Sequence, residues 1–286
     1  MIDVIIPAYN CNATLSRTLS SLVAQIDKNF KVIIVDDCST EDMKPIIEQY
    51  NTLLNIKYIR NEKNMRCGMS RQVGIDNSES EYFTFLDSDD VFMPYTISVF
   101  YQNIKTFPEV NVFNSWFYKT TDESNELFLV KEGFTWCHGR LYKREFVKKY
   151  NIKNRPDVKY ADDSFFNSMC DELNEIGFMI IQVPMMIWMY NENSVTRKVD
   201  GEYKEDAYSD FISAMCKSIR FLKQYKEVSQ IKFIKGTVKL ITEKFPHQYQ
   251  IASEAEKKRM ALALKDLKDL LKGVNLDDGL EKEKRR

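Results

Sequence analysis

The feature that most constrains the fold of this chain is the regular alternation of strand-like and helix-like segments over its first hundred residues. Short apolar runs, rich in β-branched residues, occupy residues 3–7, 31–35, 56–60 and 82–86. Segments with apolar residues at helical spacing, such as residues 13–27, separate them. This succession predicts the α/β class, with a mostly parallel central sheet and helices on both of its faces.

Composition excludes several other classes. The 286 residues are 44% hydrophobic, which is ample for a core, and 41 basic residues nearly balance 42 acidic ones, so no global polyanion-binding surface is expected. The six cysteines form no CxxC pair, which favours reduced thiols and a cytoplasmic location. Asp3 interrupts the start of the chain, so no signal peptide is predicted. The longest apolar stretch, residues 178–190, is shorter than the ~20 residues that a membrane-spanning helix needs.

Acidic side chains follow two of the predicted strands. Asp36-Asp37 ends the second strand, and Asp87-Ser88-Asp89-Asp90 ends the fourth. Open α/β sheets bind ligands at the carboxyl ends of their strands. Two carboxylates two positions apart could share a hard divalent cation there. The alternative is a turn whose acidic side chains cap the next helix.

Four blocks of sequence occur in an order that is specific to one family. They are Val4-Ile5-Ile6-Pro7-Ala8-Tyr9-Asn10, then Ile34-Val35-Asp36-Asp37-Cys38-Ser39-Thr40, then Asn61-Glu62-Lys63-Asn64 through Gly68 and Arg71, and finally Leu86-Asp87-Ser88-Asp89-Asp90. Together they resemble the family 2 glycosyltransferases of the GT-A fold, over residues 1 to about 200. The resemblance implies a Rossmann-like GT-A sheet with a C-terminal helical extension, and inverting transfer of a sugar from a nucleotide donor such as UDP, assisted by Mn²⁺ or Mg²⁺.

The same resemblance implies a division of labour along the chain. Residues 1–100 would bind the nucleotide sugar, residues 101–202 would bind the acceptor, and residues 203–286 would form the helical extension. Tyr160-Ala161-Asp162-Asp163 resembles the family's Glu-Asp block, so Asp163 is the expected general base, with Asp162 as its alternative. One of the two also has the option of capping a helix.

Site residues are carried over from the resemblance one by one. Asp89 is the expected metal ligand, Asp87 the acid beside the ribose, and Asp90 a cap. Arg71 would support the diphosphate or the sugar, or else pair with a carboxylate at the sheet edge. The nucleotide site would further include Pro7, Tyr9, Asn10, Asp37, Asn64 and Ser88. Of these, Pro7, Tyr9 and Asp37 would wall the nucleobase, whereas Asp36 has the alternative of capping a turn.

Three residues in the second half are assigned to the donor sugar or the acceptor. Trp136 and His138 lie in a segment that resembles the loop bordering the sugar, and each could instead be a packing residue. Arg197 would bring a positive charge to the diphosphate, because Asn191 stands where many relatives have a histidine or an arginine.

Two other functions fit parts of the pattern. A sugar nucleotidyltransferase would share a similar sheet, but residues 7–14 contain none of the glycines of a phosphate loop. A catalytically inactive binding or scaffold module would have lost a metal ligand or the base, yet Asp89 and Asp163 are both present.

The C-terminal region raises the question of partners. Residues 211–250 carry eight basic residues against two acidic ones. This excess predicts either solvated helix faces or contact with a polyanion, such as anionic lipid, a teichoic-type polymer or nucleic acid. A capping box at Ser253 and Glu256 precedes an apolar stripe from Met260 to Leu271, which would dock on the body of the protein or form a homodimer.

Overall fold

The structure is a computed structural model that describes residues 1–121, 126–131, 136–192, 194 and 202–274. The chain divides into two compact units. The first comprises Met1–Asp157 and Asn174–Ser194, and the second comprises Val158–Leu173 and the chain from Val195 onward. The predicted boundaries at residues 101 and 203 stay predictions.

The first half of the first unit alternates strands and helices, as the sequence predicts. Its elements are β1 (Ile2–Ala8), α1 (Asn12–Val23), β2 (Phe30–Asp36), α2 (Lys44–Tyr50), β3 (Ile56–Arg60), α3 (Arg66–Asp76) and β4 (Tyr82–Phe85). The four strands pair in parallel in the order β3-β2-β1-β4. Their carboxyl ends therefore meet at one edge, which gathers the polar residues that follow them.

The second half of the first unit extends this sheet with mixed pairing. It adds β5 (Val91–Phe92), α4 (Thr96–Thr106), β6 (Val112–Lys119), β7 (Phe128–Val130), β8 (Leu141–Lys143), α5 (Arg144–Lys149) and β9 (Met179–Trp188). The segment between α5 and β9 includes residues of the second unit. The sheet continues β4-β8-β6-β9-β5, with β7 on β6. All these pairs are antiparallel except β6 with β9. The α/β class is confirmed, and the parallel pairing belongs mainly to the first half.

Close packing of α3 on β1 depends on a glycine. Every residue of β1 is buried, as expected for a parallel strand covered on both faces. A Cβ at Gly74 of α3 would lie 2.2 Å from Cγ2 of Ile5. Only glycine lets the helix approach the strand this closely.

The second unit is helical. It contains α6 (Asp162–Leu173), α7 (Glu202–Leu222), a short 3₁₀ turn (Val228–Gln230), α8 (Phe233–Ile251) and α9 (Glu254–Leu270). The predicted cap of α9 is confirmed, since Ser253 Oγ accepts the Glu256 amide at 3.2 Å. Met260 and Leu267 of the apolar stripe are buried. Among the helices described, none is both long and apolar enough to cross a bilayer.

Candidate active site

Three carboxylates follow β4 in a turn that α1 holds in place. Thr18 Oγ1 donates to the carbonyl oxygens of Ser88, at 3.0 Å, and of Asp90, at 2.8 Å. Arg17 donates to the carbonyl oxygen of Asp89 at 2.7 Å. Neither of these α1 residues is predicted from the sequence, because an amphipathic pattern shows which face of a helix is polar but not what that face contacts.

Asp87 forms an ion pair with a buried arginine. Nη2 of Arg71, on α3, lies 2.7 Å from Asp87 Oδ1, and Arg71 is only 7% exposed. Burial acts to raise the pKa of Asp87, but the charges of Arg71 and His138 hold that pKa below its ordinary value. The ion pair predicted as one role of Arg71 is therefore present. Its other role, support of a diphosphate, stays a prediction.

Asp89 lies in an environment that disfavours its negative charge. Burial, and then the neighbouring Asp87 carboxylate, raise the pKa of Asp89 above its ordinary value. The Asn191 side-chain amide donates to Asp89 Oδ2 at 2.7 Å. Asn191, which stands where many relatives have a histidine or an arginine, thus contacts Asp89, the predicted metal ligand.

Asp90 is more than the cap that the sequence predicts. It has no exposed surface, and its Oδ1 accepts the Met189 amide at 2.9 Å. Its Oδ2 lies 3.6 Å from Nε2 of His138. Burial raises the pKa of Asp90 to about 7, against the opposing effect of His138. The prediction of a cap alone is wrong because Asp90 bridges the backbone after β9 to His138.

The donor set of this turn suits a hard divalent cation. One ligand atom each from Asp87, Asp90 and His138 lie within 4.8 Å of one another; the predicted ligand Asp89 is adjacent in sequence but is not part of this set. Carboxylate oxygens are the ligands that Mg²⁺ and Mn²⁺ prefer. A cation would relieve the repulsion between Asp87 and Asp89, so the residues present fit such a group.

An aromatic cluster lies beside these acids. The His138 ring stacks on Phe117 at 5.3 Å between centroids and lies 5.0 Å from Trp188. Trp136 packs against Phe117 at 5.9 Å and against Trp188 at 5.7 Å. Trp136 and Trp188 are only partly buried. Trp136 thus packs within the cluster while part of its side chain remains exposed, and its contact with a sugar stays a prediction.

The segments after β1 and β2 are joined through Asn10. The side-chain Oδ1 of Asn10 accepts the Thr40 backbone amide at 2.8 Å, and the backbone amide of Asn10 donates to Ser39 Oγ at 2.9 Å. Pro7 is buried within β1, whereas Tyr9 is 49% exposed. The proline therefore shapes the strand end, and the tyrosine is available to a ligand.

Asp37 is engaged in organising the start of α3. Its carboxylate accepts hydrogen bonds from the Asn61 side chain at 2.9 Å, the Met65 amide at 2.8 Å and the Arg66 amide at 2.7 Å. Asn64 Oδ1 also accepts the Arg66 amide, at 3.2 Å. Asp37 and Asn64, two of the predicted nucleotide-site residues, thus both bind backbone amides at the start of α3. Their hydrogen bonds to a nucleobase stay predictions.

The candidate bases lie in the other unit. Asp162 and Asp163 form the first turn of α6, where negative charge is favoured by the helix dipole. Asp162 is 7% exposed, and Asp163 is more open, with its Oδ1 accepting the Ser164 amide at 2.7 Å. Arg197 lies outside the described residues. The first unit thus gathers the predicted donor and metal residues, and the second carries both candidate bases.

Comparison with known proteins identifies related sequences. The family model described as glycosyl transferase family 2 matches residues 3–169. An uncharacterized glycosyltransferase of Haemophilus influenzae is 38% identical over 136 residues, which is 48% of this chain and 42% of that protein. The poly(ribitol-phosphate) beta-N-acetylglucosaminyltransferase TarS of Staphylococcus aureus is 29% identical over 231 residues, 74% of this chain and 39% of TarS. The chain thus spans about two fifths of the length of these relatives.

Solved structures show the same fold. A crystal structure of S. aureus TarS residues 1–349 with UDP-GlcNAc has a TM-score of 0.78 and 21% identity, covering 94% of this chain and 81% of that one. The mannosyltransferase PcManGT of Pyrobaculum calidifontis, solved with GDP-Man and Mn²⁺, has a TM-score of 0.55 and 14% identity, covering 99% and 79%. The GT-A fold expected from the sequence is confirmed. With more than half of its residues matched by the family model, the chain belongs to glycosyl transferase family 2.

Proposed function

We propose that this chain transfers a sugar from a nucleoside diphosphate donor to an acceptor hydroxyl, with inversion at the anomeric carbon and with Mn²⁺ or Mg²⁺ bound. The observation that carries this proposal is the crowding of Asp87, Asp89 and Asp90 after β4, beside the buried Arg71. A bound divalent cation would neutralise the charge of the departing diphosphate. UDP-N-acetylglucosamine is the first donor to test, because the similar TarS structure was solved with it.

In this proposal the donor lies at the carboxyl edge of the parallel strands. Tyr9 and Pro7 wall the nucleobase, Asp87 binds the ribose side and Arg71 supports the diphosphate. Asp89 holds the cation. The remaining proposed nucleotide contacts are Asn10, Asp37, Asn64 and Ser88. The exposed ring of Tyr9 and the depressed pKa of Asp87, which keeps that carboxylate ionised at neutral pH, support these roles.

Asp163 is the proposed general base. A carboxylate oxygen accepts the proton of the acceptor hydroxyl while the hydroxyl oxygen forms a bond to the anomeric carbon. The bond from that carbon to the diphosphate oxygen breaks, and the diphosphate leaves with the electron pair. Attack opposite the leaving group inverts the anomeric configuration. The greater exposure of Asp163 supports it over the buried Asp162, which is the alternative.

Donor hydrolysis, in which water replaces the acceptor, tests the metal and base roles. Release of UDP from UDP-N-acetylglucosamine is measured with Mn²⁺, with Mg²⁺ and with EDTA. Asp89→Asn and Asp163→Asn should each lower turnover by at least ~100-fold, since each removes a group that acts in the transition state. Glu109→Gln is the control, because it removes a negative charge from an exposed residue of the same unit as Asp89. It should keep wild-type turnover.

Two other outcomes would replace this proposal. Tight UDP and Mn²⁺ binding without turnover of any donor in a panel of UDP-sugars would favour an inactive scaffold module. Release of pyrophosphate from UTP and a sugar 1-phosphate would favour a sugar nucleotidyltransferase. Wild-type turnover in Asp89→Asn would exclude Asp89 as the metal ligand.

The acceptor and the partners form a separate part of the proposal. Poly(ribitol phosphate) is the first acceptor to test, because the similar TarS is named for it and the basic segment 211–250 suits a polyanion. Trp136 and His138 would border the sugar, and Arg197 would contact the diphosphate. A homodimer through α9 and a cytoplasmic location remain predictions.

A further inference from the structure

A buried carboxylate on α7 binds the backbone that leads into α6. Asp210 is 9% exposed, and its Oδ2 accepts the amides of Tyr160 at 2.8 Å, Ala161 at 3.1 Å and Lys159 at 3.0 Å. The Lys159 amide lies 3.0 Å from Asp210 Oδ1 as well. One side chain therefore fixes three consecutive residues. Hydrogen bonds to an ionised acceptor are roughly twice as strong as neutral ones.

These three residues determine where α6 begins. The carbonyl of Ala161 accepts the Phe165 amide at 2.8 Å, which is the first hydrogen bond of the helix. The next two residues are Asp162 and Asp163. The Asp210 carboxylate thus sets the position and direction of the backbone that presents both acids.

Asp210 is held in place by contacts of α7 with α9. The adjacent Ser209 donates its amide to Glu256 Oε1 at 3.0 Å and its hydroxyl to Oε2 at 2.9 Å. Glu256 is 2% exposed and accepts Arg259 Nε at 3.0 Å. Farther along, the hydroxyls of Ser168 on α6 and Ser218 on α7 lie 2.9 Å apart. Helix α7 is therefore a fixed support for the start of α6.

We propose that Asp210 is a positioning residue that aims the general base through the backbone of residues 159–161. This inference rests on the proposed function, in which Asp163 is the base. It assigns a catalytic purpose to the helical C-terminal region, which supplies Asp210, Ser209 and Glu256. Asp210 does not itself contact the reacting atoms.

Turnover of UDP-N-acetylglucosamine with Mn²⁺ tests this role. Asp210→Ala should lower turnover about 10- to 100-fold, because a misplacement of about 1 Å can cost that much, while the donor KM stays within about twofold. Asp210→Asn, which keeps one acceptor oxygen, should lie between Asp210→Ala and the wild type. In an Asp163→Asn background, Asp210→Ala should have no further effect, since its action passes through the base.

Asp206→Asn is the matched control. Asp206 lies one turn earlier on α7 and contacts only side chains in the pairs described, Lys159 Nζ at 3.3 Å and a guanidinium nitrogen of Arg259. It should keep turnover within about threefold of the wild type, because its partners Lys159 and Arg259 are exposed and ion pairs open to solvent contribute little. Equal losses in Asp206→Asn and Asp210→Ala, or a full effect of Asp210→Ala in the Asp163→Asn background, would overturn the inference.

Amide hydrogen exchange gives a readout that is independent of activity. Exchange at residues 159–165 should accelerate in both Asp210 variants and remain unchanged in Asp206→Asn. Unchanged exchange in the Asp210 variants would overturn the positioning role. Wild-type turnover in Asp163→Asn would instead refute the proposed base while leaving the exchange result intact, so the two failures are distinguishable.

Discussion

Asp36 and Asp37 are adjacent in the chain, yet they stabilise different parts of the fold. Asp36 is fully buried and accepts hydrogen bonds from the Tyr58 hydroxyl at 2.7 Å and the Ser39 amide at 2.8 Å. It also pairs with Arg60. Burial acts to raise the pKa of Asp36, but these hydrogen bonds hold that pKa below its ordinary value. Asp36 therefore caps a turn, as its predicted alternative role requires.

The depressed pKa of Asp36 makes part of the stability pH-dependent. Asp36→Asn should lower the free energy of unfolding at pH 7 by about 1.5–3 kcal/mol, the range for hydrogen bonds to charged groups. Because the folded-state pKa lies below the unfolded one, this stabilisation is present above the unfolded pKa and is lost as pH falls through the folded pKa. Urea unfolding from neutral to acidic pH should therefore show a difference between the two proteins that narrows toward low pH.

An exposed carboxylate provides the control for this measurement. Glu48 lies on α2 and is exposed. Glu48→Gln should change the free energy of unfolding by less than about 0.5 kcal/mol, as is usual for surface substitutions. A difference in the free energy of unfolding between wild type and Asp36→Asn that stays constant into the acid range would contradict the lowered pKa of Asp36.

At the scale of elements, two helical glycines should respond to alanine in opposite directions. Gly74→Ala would put a Cβ 2.2 Å from Ile5 Cγ2, so α3 must move off β1. We expect it to lower the free energy of unfolding by about 1–3 kcal/mol, as overpacking typically does. A Cβ at Gly236 of α8 would meet no atom outside its own helix within 4 Å. Gly236→Ala should therefore raise the free energy of unfolding by up to about 1 kcal/mol. Guanidinium unfolding of both variants checks the sign of each change, and a stabilised Gly74→Ala would disprove the close packing.

The elements differ in how far the sequence could predict them. The run Ile56–Arg60 is predicted with its observed bounds, because its local sequence pattern determines them. Strand order is set by contacts between distant segments, which no local pattern records. β9 lies between β6 and β5, and its pairing with β6 shifts register next to Pro184.

The site was predictable where chemistry is local to a motif. The acids after β4 could be found because they follow an apolar strand directly in the chain and belong to one of four blocks that occur in a family-specific order. The hydrogen bonds from Thr18 to that turn join residues 70 and 72 positions apart, and those that Asp210 accepts from the backbone before α6 join residues about 50 apart. Such contacts depend on tertiary packing, so a single sequence gives no signal for them.

At the scale of the whole molecule, the distribution of charge matters more than its sum. The chain is nearly neutral, with 41 basic and 42 acidic residues. Among the ion pairs described in the segment 211–250, Arg220 pairs with Asp266, Lys226 with Glu172, and Lys239 with Glu243. The last of these pairs is 3.8 Å long and exposed on both sides, so it neutralises little.

A basic face remains around the start of α8. Lys232, Lys235 and Lys239 are spaced three and four residues apart, which places them on one side of the helix. If the acceptor is a polyanion, reversing all three to glutamate should weaken binding of poly(ribitol phosphate). It should also reduce the slope of log affinity against log salt by about one for each lost phosphate contact. Titration at several salt concentrations measures both quantities.

Charge reversal on the first unit separates this local effect from a change in net charge. Lys105, Lys148 and Lys149 are exposed residues of α4 and α5, and their triple reversal alters the net charge of the protein by the same amount. We expect this control to keep the wild-type salt slope, since contact with phosphates, rather than total charge, determines counterion release. Equal losses in the two triple variants would indicate a non-specific attraction. An unchanged affinity in both would mean that the lysines of α8 are a solvated helix face and that the acceptor is recognised elsewhere.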